Sequence, residues 1–372
     1  MRYWTTGIWE NAYKGLILGM RVLNSRRRTR NNMLRSDIRL ALPSKGRLQA
    51  STLNFLSNCG FDVKQSATRG YIGTVSNLPN VTVILQRPRD IVTSVANGGV
   101  DFGITGFDVV QEAGVARQVH VLHDALGFGK CRVVIAVPEQ WPVKTLLDLQ
   151  HMAADWASAG RPLRVATVFP EITRAFLNEN HVLNIQIVEA EGSLEVLPEI
   201  NAADFIADIV ETGSTLQQNR LRMLDDGTIL HTQSSLIANC ESIQRPEALE
   251  MAVILLEYIE AHLRADKLLM VIANMRGADA EDIAHKMHTQ TNLGGLQGPT
   301  IAPIYPNEVT RVKNTAAHDH WFGITLMVKR SELTDAVNQL RAVGGSGVIV
   351  TPVSYVFEEQ PDRVAALKSL VC

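Results

Sequence analysis

The stretch that most constrains the fold of this chain is an apolar run from Phe205 to Val210, which gives way to Glu211-Thr212-Gly213-Ser214-Thr215. The apolar run predicts a short buried strand of a parallel sheet. Glycine permits a tight turn close to a ligand, and the hydroxyls around it can donate to phosphate oxygens. If Leu216 onward is helical, the free N–H groups at the start of that helix point at the same place. The stretch therefore predicts a phosphate site between a strand and a helix.

Two carboxylates, Asp208 and Glu211, flank this turn. Carboxylates beside a phosphate suit sugar hydroxyls or a phosphate-bound Mg²⁺. Turns of this composition are also common between strands and helices, where Thr212 or Ser214 could simply be a helix N-cap. Turn chemistry alone leaves both interpretations open.

Composition limits the class of protein. A length of 372 residues predicts two or three domains, and 46% hydrophobic with 20% charged residues is ordinary globular composition. The four cysteines form no CxxC pair, which argues against zinc and a disulfide framework and favours a reducing cytoplasm. The best apolar run, near Ala252–Leu256, is too short to span a membrane.

Residues 1–37 carry eight Lys/Arg and two Asp/Glu, a net charge of +6. Because the whole chain has a net charge of −2, the rest of the chain carries −2 − 6 = −8. An acidic body makes nucleic acid an unfavourable partner. The basic segment fits a secretory signal poorly, because its Arg-rich cluster follows its apolar patch. An Arg-rich organellar presequence and a translation start at Met33 remain as alternatives.

Cationic groups follow the first predicted strands. Ile38–Leu42 is a strand followed by Lys45-Gly46-Arg47 and a helix, and Val81–Leu85 is a strand followed by Arg87-Pro88-Arg89. Ligands of open α/β sheets bind at the carboxyl ends of strands, and guanidinium groups suit phosphate. Asp90 is predicted to cap the next helix.

The segment Val100–Asp108 follows two glycines. Gly103 and Gly106 would let the backbone approach a ligand, and Asp101 could accept a hydrogen bond from ribose or an amine. Asp108 is predicted to be a helix cap and not a ligand group.

The order of predicted elements gives an α/β fold with two lobes and a smaller module. Residues 38–127 and 231–266 form lobe I and residues 128–230 form lobe II with the phosphate loop, a bilobal, periplasmic-binding-protein-like core. Within lobe II, Gly192–Glu195 is predicted to begin a helix. Residues 267–372 form a C-terminal α+β domain, because their elements follow the ferredoxin-like order βαββαβ.

The unit Glu195–Leu216 resembles the signature of the ATP phosphoribosyltransferases, which open histidine biosynthesis. Asn201 departs from the family's glycine, but Asn tolerates positive φ. The segments around Lys45–Arg47, Arg87–Asp90 and Asp101–Asp108 also match the family, and the resemblance extends to the long form with its regulatory domain.

This resemblance implies that N1 of ATP displaces pyrophosphate from 5-phosphoribosyl 1-pyrophosphate (PRPP), with Mg²⁺ as cofactor and histidine as feedback inhibitor. It also implies a cytoplasmic homo-oligomer, a dimer or hexamer, with no membrane or nucleic-acid partner. The PRPP-binding residues would be Asp208, Glu211, Thr212, Gly213, Ser214 and Thr215, and the ATP-binding residues Lys45, Gly46, Arg47, Arg87, Arg89, Asp101 and Gly103. Asp208, Glu211 and Arg47 would serve catalysis, while the Mg²⁺ would be held mainly by pyrophosphate; no histidine-binding residue is predicted.

A different class remains open, since bilobal α/β proteins are often non-catalytic ligand binders and the terminal domain would then sense an amino acid. The phosphate loop beside two carboxylates weighs against that alternative. A metal site at His285 and His288, or around His318-Asp319-His320, is disfavoured because no carboxylate cluster supports it.

Overall fold

A computed structural model describes residues 37–66, 70–305 and 320–371. The basic extension predicted over residues 1–37 lies, apart from Asp37, outside the described residues, and so do His318 and Asp319. The alternatives for the extension therefore stay predictions.

The strands alternate with helices along the two lobes and then along the terminal domain. The strands are β1 (Ile38–Pro43), β2 (Val63–Gln65), β3 (Ile72–Val75), β4 (Leu78–Gln86), β5 (Phe102–Gly106), β6 (Val119–His123), β7 (Cys131–Pro138), β8 (Leu163–Thr167), β9 (Ile185–Glu189), β10 (Phe205–Val210), β11 (Leu221–Thr232), β12 (Ser234–Asn239), β13 (Leu268–Gly277), β14 (Thr300–Pro303), β15 (His320–Lys329) and β16 (Ser346–Pro352). The α-helices are α1 (Gly46–Asn58), α2 (Pro88–Ala96), α3 (Phe107–Ala113), α4 (Leu146–Ser158), α5 (Pro170–Glu179), α6 (Ser214–Gln218), α7 (Pro246–Ala265), α8 (Ala280–Gln290), α9 (Leu333–Ala342) and α10 (Asp362–Val371).

Lobe I is built on a sheet with strand order β2-β3-β4-β1-β5-β12-β6. Its central strands β4, β1 and β5 are parallel, so their carboxyl ends share one edge. Helices α1, α7 and α10 bury apolar side chains such as Phe55, Leu256 and Leu367 on one face. Helices α2 and α3 cover the other face with Ile91 and Val110. Helices therefore exclude solvent from both faces of the sheet, and ligands must approach at the strand ends.

Lobe II has the strand order β11-β7-β10-β8-β9. The central strand β10 is parallel to β8 and antiparallel to β7, so the sheet is mixed where the sequence predicted parallel neighbours. Phe205, Ile206 and Ala207 have no exposed surface, as the apolar run predicted. These buried residues anchor β10 in the core of lobe II, and the chain reaches the surface of the lobe after Val210.

Two short segments connect the lobes, one between β6 and β7 and the other between β11 and β12. They are hydrogen-bonded to each other: Leu126 N donates to Ser234 O at 3.0 Å, and Ser234 N donates to Phe128 O at 3.0 Å. Strand β12 then pairs with β5 of lobe I, which confirms the predicted return of the chain to the first lobe. The sheet of lobe I takes its strands from residues 38–123 and 234–239, and the sheet of lobe II takes its strands from residues 131–232.

The terminal domain has the predicted element order, β13-α8-β14-β15-α9-β16, around a core that includes Val271, Ile283 and Leu340. Its predicted extent, residues 267–372, is too long at the carboxyl end. After Pro352 the chain returns to lobe I, where Val364 and Leu367 of α10 join the main core. Arg363 reinforces this contact with ion pairs of 2.7 Å to Asp124 and 2.9 Å to Glu260.

Three local predictions are corrected. The N-cap of α2 is Arg87 and the helix begins at Pro88, so Asp90 lies in its first turn. Proline suits the first helical position because it has no N–H to satisfy there. Asp108 likewise lies in the first turn of α3, whose N-cap is Gly106. The helix predicted from Gly192 is a single 3₁₀ turn at Leu194–Val196.

Candidate functional site: a phosphate loop facing a second lobe

The phosphate loop has the strand-turn-helix form predicted from its sequence. Strand β10 ends at Val210, Gly213 adopts the left-handed conformation with φ 85°, and α6 starts at Ser214. A residue with a side chain would be strained at this φ, so glycine is required here. The hydroxyls of Thr212 and Ser214 lie 3.1 Å apart, at the mouth of the turn and open to solvent. Upstream, Asn201 has φ 56°, which confirms that it takes the place of a glycine in a turn.

Asp208 lies half-buried in β10, two residues before the strand ends, and its carboxylate accepts a hydrogen bond of 2.7 Å from the N–H of Ile209. Burial, with a smaller contribution from the nearby carboxylate of Glu195, raises the pKa of Asp208 from 3.8 to about 6. Glu195 and Asp208 line one cavity together with the phosphate loop, but Glu195 was not predicted to be a site residue. Its signal was present in the sequence, since Glu195 begins the unit Glu195–Leu216 that resembles the family signature.

An ion pair joins the lobes across this cavity. The guanidinium of Arg47, at the start of α1, donates to the carboxylate of Glu211 in the phosphate loop. The Glu211 carboxylate raises the pKa of Arg47 above its ordinary value. The structure thus brings together the three predicted catalytic residues, Asp208, Glu211 and Arg47, around one cavity of about 430 Å³. That volume falls in the range of small-molecule sites.

The chain that crosses between the lobes forms another wall of this cavity through Gly129, Lys130 and Cys131. Burial raises the pKa of Cys131 to about 11, so that its side chain is a neutral thiol. Lys130 was not predicted to be a site residue. The available signal was its position directly after Gly127-Phe128-Gly129, two glycines at the predicted lobe boundary.

A second cavity of about 330 Å³ lies between α2 and α3 of lobe I and the ends of β8 and β9. Arg89 lines it and donates to the carbonyl of Val168 in lobe II. From α3, Glu112 reaches the start of α5 and accepts hydrogen bonds from the N–H groups of Glu171 at 3.0 Å and Ile172 at 3.1 Å. A carboxylate of one lobe therefore caps a helix of the other. Burial raises the pKa of Glu112, and no sequence signal pointed to this role.

Three more of the residues predicted to bind ATP, Lys45, Gly46 and Arg87, lie on the surface of lobe I. Lys45 and Gly46 are exposed beside Arg47 at the N-terminus of α1, and Arg87 is exposed at the N-terminus of α2. Arg87 does not line either of the two cavities described above.

The expectation for Asp101 and Gly103 is corrected by the structure. Asp101 is fully buried, and its carboxylate accepts hydrogen bonds from Ser242 at 2.7 Å, Arg245 at 2.6 Å and the N–H of Arg39 at 2.8 Å. It precedes β5, at the end of the strand opposite to the ligand edge. A Cβ on Gly103 would lie 2.6 Å from Ile91, so this glycine permits helix packing. Both residues serve the core of lobe I and cannot contact ATP there.

No cluster of three or more His, Cys, Asp or Glu side chains is arranged to hold a metal ion among the residues that the structure describes. Over the same ranges, 37–66, 70–305 and 320–371, no helix combines the length and apolar character needed to cross a bilayer.

Two α/β lobes joined by paired crossings, with the Glu211–Thr215 turn of one lobe facing Arg47 of the other, define the class: a bilobal α/β fold with a polar cleft between its lobes. Family comparison identifies the particular group. The model of the family described as ATP phosphoribosyltransferase matches residues 87–260, and that of its C-terminal domain matches residues 265–355.

Similar proteins cover most of the chain. The chloroplastic ATP phosphoribosyltransferase 2 of Arabidopsis thaliana is 40% identical over 339 residues, 90% of this chain and 81% of the plant protein. The ATP phosphoribosyltransferase of Bradyrhizobium sp. (strain ORS 278) is 33% identical over 336 residues, 89% of this chain and 98% of the relative. A solved ATP phosphoribosyl transferase complex from Thermotoga maritima aligns with a TM-score of 0.47 at 25% identity, covering 60% of this chain and 98% of that one.

The chain belongs to the ATP phosphoribosyltransferase family. Membership confirms the activity that its sequence predicted, a pentosyl transfer that opens histidine biosynthesis.

Proposed function

We propose that PRPP and ATP react in the cavity between the phosphate loop and Arg47. The observation that carries this proposal is the convergence of Asp208, Glu211 and the loop hydroxyls of lobe II with a cation of lobe I. The loop from Glu211 to Thr215 would bind the 5′-phosphate through its hydroxyls and backbone N–H groups. Asp208 and Glu211 would then orient the ribose hydroxyls.

The chemistry requires alignment of two anions more than a strong base. N1 of adenine has its own lone pair, which forms the new bond to C1 of the ribose while the bond from C1 to the pyrophosphate oxygen breaks. The sugar carbon gains positive character in the transition state. An ionised Asp208 can stabilise that charge, and cations can neutralise the departing pyrophosphate.

The ion pair between Arg47 and Glu211 has a direct consequence for substrate binding. Each group is proposed to bind substrate, but in the ligand-free protein each binds the other. PRPP would replace this pair with contacts from Arg47 to phosphate and from Glu211 to ribose. Because the pair is exposed, the loss of its attraction is small.

ATP would use the cationic residues along the same edge of lobe I. We retain this proposal for Lys45, Gly46, Arg47, Arg87 and Arg89, all at or near the N-termini of α1 and α2. We withdraw it for Asp101 and Gly103, which are buried in the core.

The cavity offers two carboxylates that could bind Mg²⁺, and the substrate phosphates would supply further ligands. Asp208 and Glu195 present carboxylates to the cavity, and Mg²⁺ usually binds one or two carboxylates together with water and substrate phosphates. These two residues would hold the ion beside the pyrophosphate, where it supplies charge neutralisation. A transferase dependent on Mg²⁺ follows as a proposal.

Feedback inhibition by histidine, homo-oligomer formation and a cytoplasmic location are proposed from the family resemblance. Support for the first is the C-terminal domain described above, because a small separate module suits an effector. The Arabidopsis relative is named chloroplastic, so the location of this chain needs its own measurement.

The decisive assay is formation of phosphoribosyl-ATP from ATP, PRPP and Mg²⁺, detected by mass spectrometry, with and without histidine. Product that decreases when histidine is added supports both the reaction and the inhibition. Product that is indifferent to histidine refutes the inhibition alone. If no product forms but PRPP with Mg²⁺ raises the melting temperature, the chain is a ligand-binding protein and the enzymatic proposal is wrong.

A further inference from the structure

The segment that crosses between the lobes places a cation in the reaction cavity. Lys130 lines the cavity of about 430 Å³ together with the phosphate loop, and it also lines a neighbouring cavity of about 280 Å³ beside Phe107 and His231. Lys130 and Cys131 are the residues shared by both cavities. Lys130 therefore lies where the two cavities meet.

The backbone at this junction is fixed. Gly127 and Gly129 have φ values of 85° and 66°, which favour glycine, and a Cβ on Gly129 would lie 2.9 Å from the hydroxyl of Ser234. The hydrogen bonds between the two crossings hold the same turn. Lys130 therefore lies on a turn that is held in place by the packing of the two crossing segments.

One of the two cations that line the cavity has no carboxylate partner within the described ranges. Its carboxylates are Glu195, Asp208 and Glu211, and its cations are Arg47 and Lys130. Arg47 pairs with Glu211, whereas in the described part of the chain Lys130 is exposed and forms no ion pair. The neighbouring Cys131 is a neutral thiol and offsets none of this charge. A lysine that lines a cavity and has no ion-pair partner there is suited to an anionic ligand.

We propose that Lys130 binds the diphosphate group of PRPP and retains pyrophosphate as it leaves. This inference rests on the proposed function, since it assigns the second phosphate group of the same substrate. The phosphate loop holds the 5′-phosphate at one wall of the cavity, and Lys130 lies on another wall, at the opening to the neighbouring cavity. The electron pair of the broken bond between C1 and oxygen passes to pyrophosphate, whose added charge the ammonium neutralises.

The test compares Lys130→Met with Lys130→Arg and with Lys144→Met as a matched control. Lys144 is an exposed lysine of lobe II whose backbone hydrogen bonds do not involve its side chain. Calorimetric titration in Mg²⁺ would measure binding of PRPP, pyrophosphate and ribose 5-phosphate to each variant. The last ligand has the 5′-phosphate but no diphosphate.

We expect Lys130→Met to weaken binding of PRPP and pyrophosphate by about tenfold to hundredfold, the range of a hydrogen bond to a charged group. Binding of ribose 5-phosphate should change less than about twofold, and Lys130→Arg should retain most of the affinity for PRPP. Lys144→Met should resemble the wild type. Unchanged pyrophosphate binding in Lys130→Met overturns the proposal, and so does an equal loss for ribose 5-phosphate.

Failure of this proposal can be told apart from failure of the proposed function. If the wild type forms phosphoribosyl-ATP and Lys130→Met binds pyrophosphate normally, the function stands and the assignment of Lys130 is wrong. If the wild type forms no product, the titrations still report whether Lys130 binds the diphosphate.

Discussion

Asp208 provides the sharpest test of the site, because its position costs stability that a catalytic role would justify. Burial raises its pKa from 3.8 to about 6 in the folded protein. The difference, at about 1.4 kcal/mol per pKa unit, destabilises the folded state by about 3 kcal/mol when the carboxylate is fully ionised. We expect Asp208→Asn to remove this cost and to reduce activity at the same time.

The sign of the pH effect follows from the raised pKa. A group that binds its proton more tightly when folded stabilises the protein most below its unfolded pKa, and the benefit is lost as pH rises through about 6. The cost is therefore about 3 kcal/mol at pH 8 and about half of that at pH 5. For a chain of this size, whose entropy of unfolding is about 0.8 kcal/mol per kelvin, Asp208→Asn should melt about 4 °C above the wild type at pH 8 and about 2 °C above it at pH 5.

Thermal unfolding at these two pH values tests the argument, with Asp225→Asn, which neutralises an exposed carboxylate of β11, as the control. Wild-type kcat/KM should also decrease as pH falls through about 6, while Asp208→Asn stays low throughout. A melting temperature difference that does not depend on pH, or a less stable Asp208→Asn, would refute the reasoning.

Three further outcomes are expected. Thr215→Ala should reduce turnover at saturating PRPP by about 10²–10³-fold, because one donor of the phosphate loop is lost; full turnover would show that the loop does not bind the 5′-phosphate. Glu112→Ala should lower the free energy of unfolding by about 1 kcal/mol, measured by urea denaturation, since the cap of α5 is removed; Glu112→Gln, which keeps one acceptor, should lose less, and an equal loss would argue against capping. Arg245→Met should cost about 3 kcal/mol in the same measurement because it removes a cation from the buried Asp101 carboxylate, and a neutral result would contradict the structural role of that carboxylate.

The parts of the fold that were predictable are those in which one periodic pattern decides. The strands predicted at Ile38–Leu42 and Val81–Leu85 lie within β1 and β4, and β10 has the predicted bounds, Phe205–Val210. The phosphate loop was predictable because its burial, its glycine and its hydroxyls all lie within a dozen consecutive residues. Local signals of this kind need no knowledge of distant partners.

The errors arise where a distant residue decides. A carboxylate between glycines and apolar residues resembles a ligand group, and nothing near Asp101 in sequence reveals that Arg245 will neutralise it in the core. Strand β11 was missed because Asp225-Asp226-Gly227 interrupts its apolar pattern, and the structure accommodates that interruption with shifts in the pairing register. The lysine at the lobe crossing gave a local signal, but its meaning depends on two cavities that exist only in the folded chain.

The return of the chain after Pro352 makes the terminal domain an insertion and not an appendage. Arg264 of α7 binds the tail through a hydrogen bond of 2.8 Å to Val356 O and an ion pair of 2.8 Å to Glu358, directly before the domain begins. The domain is therefore tied to lobe I at both of its ends. A single proteolytic cut inside it would not release it, and a catalytic core produced by stopping the chain at Lys267 would expose the surface that Val364 and Leu367 cover. Removing the terminal domain while keeping both lobes therefore requires excising the segment from Leu268 to Pro352 and rejoining its ends.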